Sequence, residues 1–248
     1  MTTAVPGFDP KVFKEICSTC SLRELCVPGG ITADELERLD NFVERRRPVS
    51  RGETLYRTGD PFRALYAVRS GTFKARVMSD NGREHVTGFQ LPGELLGLDG
   101  VAYDKYGVDA IALEDSLVCV LPYTALERIA RDFPPLQHQL HKVMSREIVR
   151  EQDVMTLLAS LRAEERVAAL LVGLSERYRR LGYSATNFVL RMTREEIGNH
   201  LGLKIETVSR AFRKLSDQGL VRIDGRKVEL VEEDALRRSL GTAVVTRG

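Results

Sequence analysis

The sequence predicts an α+β chain in three parts: an antiparallel β-roll, one long helix, and a C-terminal winged helix-turn-helix. Three observations predict it. Between Arg51 and Pro122 short apolar runs alternate with glycine-containing turns; Leu136 to Leu171 contains neither glycine nor proline; and MTREEIGNHLGLKIETVSRAFRKLSDQGLVRIDGRKVEL reads as helix, tight turn, basic helix and hairpin.

In the first part the runs are TLYRTGD, ALYAVRSG, FKARVMSDNG, HVTGFQLPG, VDAIALEDS and LVCVLP. Ser70-Gly71 and Asn81-Gly82 are hairpin signals, because glycine and asparagine tolerate the positive φ of tight primed turns. Strands this short at this spacing predict a small antiparallel barrel or sandwich. No helical pattern alternates with them, which argues against a parallel α/β sheet.

Pro134-Pro135 open the second part, where proline suits the first turn of a helix. Met144, Ile148, Glu151, Met155 and Leu158 then follow at intervals of 4, 3, 4 and 3 residues. That is heptad spacing, the pattern of a helix that pairs with a second helix. Glu151 interrupts the apolar seam: in a parallel pair its carboxylate either meets its own copy, so that Coulomb repulsion makes the predicted dimer marginal, or extends to solvent at the seam's edge.

In the third part Thr193 and Glu196 form a capping box that starts a helix, and Gly202 ends it. Val208, Phe212 and Leu215 line the inner face of a second helix from about Ile205 to Asp217, and Gly219 closes it. Asp224-Gly225 turns the hairpin that follows. On such a motif the second helix enters the major groove of double-stranded DNA. Glu206, Ser209 and Arg210 share its outer face, and their chemistry suits base edges: glutamate accepts from cytosine, arginine grips guanine, serine bonds to either kind. Lys204, Arg213, Lys214, Arg226 and Lys227 are candidates for phosphate, which fixes register without choosing sequence. From Lys204 to Lys227 seven basic residues face three acidic ones, although over the 248 residues Lys+Arg 37 nearly balance Asp+Glu 35.

The opening MTTAVPGFDP has no basic or apolar leader region, and no stretch approaches the roughly 18 apolar residues of a membrane span. We read a cytoplasmic chain without a membrane partner. Its size supports a core without covalent staples, so the 4 cysteines need another explanation. Three lie in CSTCSLRELC as Cys17, Cys20 and Cys26; the fourth, Cys119, falls in the last strand expected of the roll. In a reducing compartment such a cluster suggests metal or redox chemistry. The spacing alone leaves open an iron–sulfur cluster, a zinc site and unligated thiols. No catalytic arrangement emerges: His85, His138, His141 and His200 are scattered and read as surface or core residues, and a CxxC oxidoreductase would want its motif beside a βαβ unit. We therefore expect no enzyme.

Taken together, CSTCSLRELC, RSGTFK, NGREHVTGFQLPGELLG, AEERVAALL and MTREEIGNHLGLKIETVSR make nearly the whole chain resemble the FNR (fumarate and nitrate reduction) regulators. These are the oxygen-sensing branch of the cyclic-AMP receptor protein superfamily. The resemblance implies a cyclic-nucleotide-binding-like roll, and domains at residues 1–30 (cluster-binding segment), 31–134 (sensor roll), 135–162 (dimerisation helix) and 163–248 (winged helix-turn-helix). It implies that Cys17, Cys20, Cys26 and Cys119 hold a [4Fe-4S] cluster without oxygen, and that oxygen converts it to a two-iron form and then destroys it. It further implies that the intact form is a homodimer on a palindromic DNA site with TTGAT-like half-sites read by Glu206, Ser209 and Arg210. The loop Asn81-Gly82-Arg83 is then among the surfaces that touch RNA polymerase. Cyclic-nucleotide receptors share the LPGELLG turn but follow it with an Arg-Ser pair for the phosphate. Here GVDAIA stands there, and a carboxylate at Asp109 beside Val108 would repel a phosphate, which excludes cyclic AMP. The rival expectation is a zinc- or thiol-dependent, or small-ligand, regulator of the same fold.

Overall fold

The computed structural model describes residues 45–79 and 81–240, so the expected ligands Cys17, Cys20 and Cys26 lie outside the described residues. Eight strands form the roll: β1 (Arg45–Val49), β2 (Thr54–Tyr56), β3 (Ala64–Ser70), β4 (Phe73–Met78), β5 (Glu84–Gln90), β6 (Leu95–Leu96), β7 (Asp109–Ala112) and β8 (Ser116–Pro122). They make two four-stranded antiparallel sheets, ordered β1-β8-β3-β6 and β2-β7-β4-β5. Alternate residues point inward, as the two-residue period of a strand requires. Val49, Leu55, Val68, Phe73, Leu96 and Val118 thus close one core, with Tyr56 stacked on Tyr106 at 3.9 Å between centroids.

Of the two expected hairpin turns, Ser70-Gly71 leads from β3 in one sheet to β4 in the other and closes no hairpin, although its tight turn is present, whereas Asn81-Gly82 joins the paired strands β4 and β5. Gly71 sits at φ 88°, where a Cβ would also collide with Ser116 Oγ at 2.0 Å. At the second, the Gly82 N–H donates to the Ser79 carbonyl at 2.8 Å and the Ser79 hydroxyl donates to Asn81 Oδ1 at 2.6 Å.

Helix α1 (Tyr123–Asp132) follows β8 directly and is an element the sequence reading passed over. It packs Leu126 and Ala130 with Leu65 and Leu136 over the outside of the first sheet. Helix α2 (Pro134–Ser160) carries its prolines in the first turn, and α3 (Ala163–Arg180) begins after two extended residues, Leu161 and Arg162. The stretch without glycine or proline is therefore two helices with a joint. Arg166 clamps that joint: its guanidinium donates to the carbonyls of Leu158 (2.7 Å), Leu161 (2.9 Å) and Leu201 (3.0 Å). Carbonyls left over at a helix end need such donors.

The winged domain contains β9 (Asn187–Val189), α4 (Arg194–Leu201), α5 (Ile205–Asp217), β10 (Val221–Asp224), β11 (Lys227–Leu230) and α6 (Glu233–Arg238), its sheet ordered β10-β11-β9. It is seated on the roll. Val86, Phe89, Leu91 and Leu113 of the roll join Val167, Leu171, Ile197, Leu201 and Phe212 in one apolar cluster. Each buried side chain of this size contributes roughly 1.5–3 kcal/mol, whereas an exposed ion pair such as Arg191–Glu114 contributes about 0–1 kcal/mol. Apolar burial is the larger force holding the two domains together.

Candidate nucleic-acid interface and the contacts behind it

The helix-turn-helix starts at Thr193, whose Oγ1 accepts the Glu196 N–H at 3.1 Å while the Glu196 carboxylate accepts the Thr193 N–H at 2.7 Å. This is the capping box expected from the spacing. Gly202 ends α4 in the left-handed region at φ 64°, and the Leu203 N–H reaches back to the Gly198 carbonyl at 2.9 Å. The turn is thereby fixed, and with it the angle of α5.

Val208, Ala211, Phe212 and Leu215 of α5 are buried. Arg194 of α4 lies over the Phe212 ring, its guanidinium carbon 3.5 Å from the centroid, and ties the two helices together. The opposite face presents Glu206, Ser209, Arg210 and Arg213, all exposed. Arg210 makes a weak contact to Thr207 Oγ1 at 3.3 Å, and Lys204, the N-cap, makes no side-chain capping bond. Both cations are thus available to a ligand. Lys214 is exposed too, with Nζ 2.8 Å from Glu164, a surface pair that phosphate and salt can displace. In the wing, Arg226 and Lys227 are exposed.

Ile205 was not singled out from the sequence, yet it stands 46% exposed at the first position of α5, between Lys204 and Glu206. Its signal was available: α5's inward positions are Val208, Ala211, Phe212 and Leu215, and Ile205 leads them at the helix end expected to face DNA. An exposed branched aliphatic there suits the methyl group of thymine.

On α2, Met144, Ile148 and Met155 are 40%, 55% and 68% exposed, an apolar face that nothing in the single chain covers among the described residues. Glu151 is exposed on the same helix. Leu158 differs, being partly buried against the core of the winged domain. The lower end of the expected seam thus also serves intrachain packing.

Between the roll and α2 lies a cavity of about 720 Å³. Val108 lines it, but Asp109 does not. The Asp109 carboxylate accepts the Thr58 N–H at 2.8 Å and pairs with Arg76 at 3.2 Å; burial opposes its charge, and these partners nonetheless hold its pKa below the usual carboxylate range. The repulsion expected of Asp109 is therefore not exerted into the cavity, because the strand turns its side chain the other way. Of the GVDAIA stretch, it is the apolar Val108 that lines the cavity.

Cys119 sits in β8, its backbone in register with Arg46 of β1 and Ala67 of β3. Its neighbour Val118 points into the roll, so Cys119 points out, and it is half-buried. That outward face accounts for its partial exposure.

Behind the reading face, two polar contacts seat α4 on the roll. Lys74 Nζ bridges Glu84 (2.7 Å) and the capping residue Glu196 (2.9 Å). His200, expected only as a surface or core histidine, is buried with Nδ1 3.0 Å from the Val86 carbonyl and its ring edge-on to Phe89. Among the described residues no group of three or more His, Cys, Asp or Glu is placed to hold a metal ion, and no helix is long and apolar enough to cross a membrane.

Comparison with known proteins agrees with this geometry. Residues 165–239 match the Crp-like helix-turn-helix domain and residues 46–133 the cyclic nucleotide-binding domain. The chain is 47% identical over 225 residues to the transcriptional regulatory protein btr of Bordetella pertussis, covering 91% of this chain and 93% of that one. It is 40% identical to the fumarate and nitrate reduction regulatory protein of Escherichia coli, covering 91% and 90%. Among solved structures, FixK2 from Bradyrhizobium japonicum is similar with a TM-score of 0.71 at 30% identity, covering 78% of this chain and 96% of that one.

Proposed function

The chain belongs to the CRP/FNR family of transcription regulators, which bind DNA as homodimers and are not enzymes, and on that premise we propose that it is an oxygen-responsive regulator of the FNR type. In this proposal the domains divide at residues 1–30, 31–134, 135–162 and 163–248. Cys17, Cys20, Cys26 and Cys119 hold a [4Fe-4S] cluster, and the protein acts in the cytoplasm on a palindromic site with TTGAT-like half-sites. RNA polymerase is its partner at the promoter, through surfaces that include Asn81, Gly82 and Arg83.

The observation that carries the sensing part is the placement of Cys119. It is the outward-facing, half-buried thiol of the strand beside β1, and β1 is where the N-terminal segment joins the roll, with Arg46 directly opposite Cys119. Twenty residues separate Cys26 from Arg46, at up to roughly 3.3 Å each, ample to return three thiolates to that face. The donor set is all sulfur, which suits an iron–sulfur cluster. When bound, the cluster supplies an oxygen-labile link between that segment and the roll. α2 carries the consequence: its exposed Met144, Ile148 and Met155 form the pairing face, and Glu151 keeps pairing weak enough to be switched by a small differential energy.

To test this, the full chain is purified anaerobically and assayed for iron, sulfide and zinc, and its visible absorbance is followed as air is admitted. Iron with sulfide and an absorbance that decays in air is expected. Zinc, or no metal with an unchanged spectrum, would leave a CRP-type DNA-binding regulator with a different signal.

Two substitutions test the interfaces. Glu151→Ala removes the like-charge contact and is expected to tighten dimerisation about tenfold, equivalent to about 1.4 kcal/mol, as read by sedimentation of the air-exposed protein. Arg210→Ala is expected to cost about 1–3 kcal/mol on the cognate site and little on random DNA. An equal loss on both would make Arg210 a phosphate contact.

A further inference from the structure

The middle of α2 stands off the roll across the 720 Å³ cavity. Its buried residues are Leu136 near one end and Leu157 near the other. Between them Arg150 crosses to the roll and places Nη1 3.3 Å from Glu94 Oε2. The same carboxylate receives Arg177 of α3 twice, Nε at 2.8 Å and Nη2 at 2.6 Å, and accepts the Leu91 N–H at 2.9 Å. Arg177 also donates to the Phe89 carbonyl at 2.5 Å. One carboxylate on the LPGELLG turn therefore holds three bodies: the roll, the helix that carries the pairing seam, and the first helix of the winged domain.

We propose that Glu94 is a positioning residue that couples the long helix to the DNA-binding domain, with Arg150 and Arg177 as its two arms. This deepens the function proposed above and rests on it for its biological meaning, but the coupling itself is a property of the fold. Arg150 directly precedes Glu151, so any rotation of α2 that brings the seam against a second copy must carry Arg150 with it. Moving Arg150 redistributes the charge on Glu94 that Arg177 shares, and a partly buried carboxylate is held in place only while well-placed cations compensate its lost hydration. Arg177 lies on α3, which packs against α5, the reading helix, through the shared core. A change at the seam is thus transmitted to the angle of α5 without any contact between seam and DNA. An isolated, fully exposed pair could not do this, since solvent screens it; here partial burial and four hydrogen bonds on one carboxylate fix the geometry.

The test uses the full chain and hydrogen exchange, which needs neither DNA nor a bound cluster. Arg150→Met keeps the side-chain length and removes the charge. Amide exchange in α5 (residues 205–217), with which Arg150 makes no hydrogen bond or ion pair, is expected to accelerate at least threefold, while the reading face, as judged by Arg210-dependent discrimination between cognate and random DNA, is retained. Arg177→Met should accelerate the same amides, and the double variant should do no more than Arg177→Met alone, because both act through one carboxylate. Unchanged α5 exchange in Arg150→Met, or fully additive effects in the double variant, would overturn the proposal. Should Arg177→Met melt outright, Glu94→Gln replaces it, with the same expectation and the same overturning result. A chain that failed the iron assay yet showed this non-additivity would keep the coupling and lose only the oxygen reading.

Discussion

Gly198→Ala is expected to destabilise the winged domain by about 3 kcal/mol and to abolish discrimination between cognate and random DNA. Gly198 lies inside α4, where alanine would ordinarily gain about 1 kcal/mol over glycine from helix propensity. Geometry reverses the sign. A Cβ at this position would sit 2.6 Å from the Leu203 carbonyl oxygen, and that oxygen belongs to the backbone of the turn, so no side-chain rotation relieves the clash. Val208 Cγ2, at 3.5 Å, closes the other side. The turn must open, and the turn sets the angle between α4 and α5. Glu206, Ser209 and Arg210 stay on the surface of α5 but leave their common register on the groove. Thermal unfolding and a paired titration with cognate and random duplexes check this. A variant that melts like the parent and still discriminates would show that the turn accommodates a methyl group.

The reading helix was legible in the sequence because its signals are local. Thr193 with Glu196, Gly202 and the apolar set Val208, Phe212 and Leu215 lie within about two dozen residues, and each acts on its immediate neighbours. The exposed apolar face of α2 was legible for the same reason up to Met155. Leu158 was less so, since heptad spacing cannot tell whether the last position faces a second copy or the chain's own domain. Asp109 shows the limit of placing a side chain by alignment to a motif: adjacent strand residues point to opposite faces, and an error of one residue exchanges Val108 for Asp109 at the cavity wall. Helix α1 was hidden because it begins at Tyr123 directly after Pro122 and ends just before Pro134, inside a stretch read as the end of the roll.

The seating of the winged domain on the roll had no local signature at all. Lys74 and Glu196 are 122 positions apart, and His200 and Val86 114. Only the folded chain shows that a roll lysine is the partner of the residue that caps α4. The same contact joins the roll and the winged domain by a second route beside Glu94, since Glu84, the other partner of Lys74, opens β5 just after the Asn81-Gly82-Arg83 loop. A partner that pulls on that loop would load the Lys74 bridge, and the bridge ends at the N-terminus of α4.

The seat should also make the protein acid-labile at a defined residue. Burial, before any other cause, drives the His200 pKa down to about 4; the nearby charges of Arg177, His85 and Arg150 add to it, and the bond to the Val86 carbonyl opposes it. In the unfolded chain the imidazole titrates near 6.5. The unfolded state therefore binds more protons between these values, and stability rises with pH across them. The contribution of keeping His200 neutral is present in full above about pH 6.5 and is lost as pH falls through about 4. A difference of some 2.5 units corresponds to about 3 kcal/mol. Other groups lose their partners further down: Glu84, Glu94 and Glu196 keep pKa values below the ordinary carboxylate range despite burial, because Lys74, Arg76, Arg150, Arg177 and the Thr193 backbone favour their charged forms. They titrate below about pH 4.5, whereas burial raises the Glu147 carboxyl, whose effect runs opposite to that of His200, so it is the His200 variant that isolates the ring's share between 6.5 and 4.5. Urea unfolding of the parent and of His200→Gln, which retains a donor for Val86 without a titrating ring, separates the two. The parent should lose stability steeply between pH 6.5 and 4.5, and the variant should be flatter by most of that amount, whatever its stability at pH 7.5. Parallel curves would mean that the ring stays solvated enough to accept a proton in place.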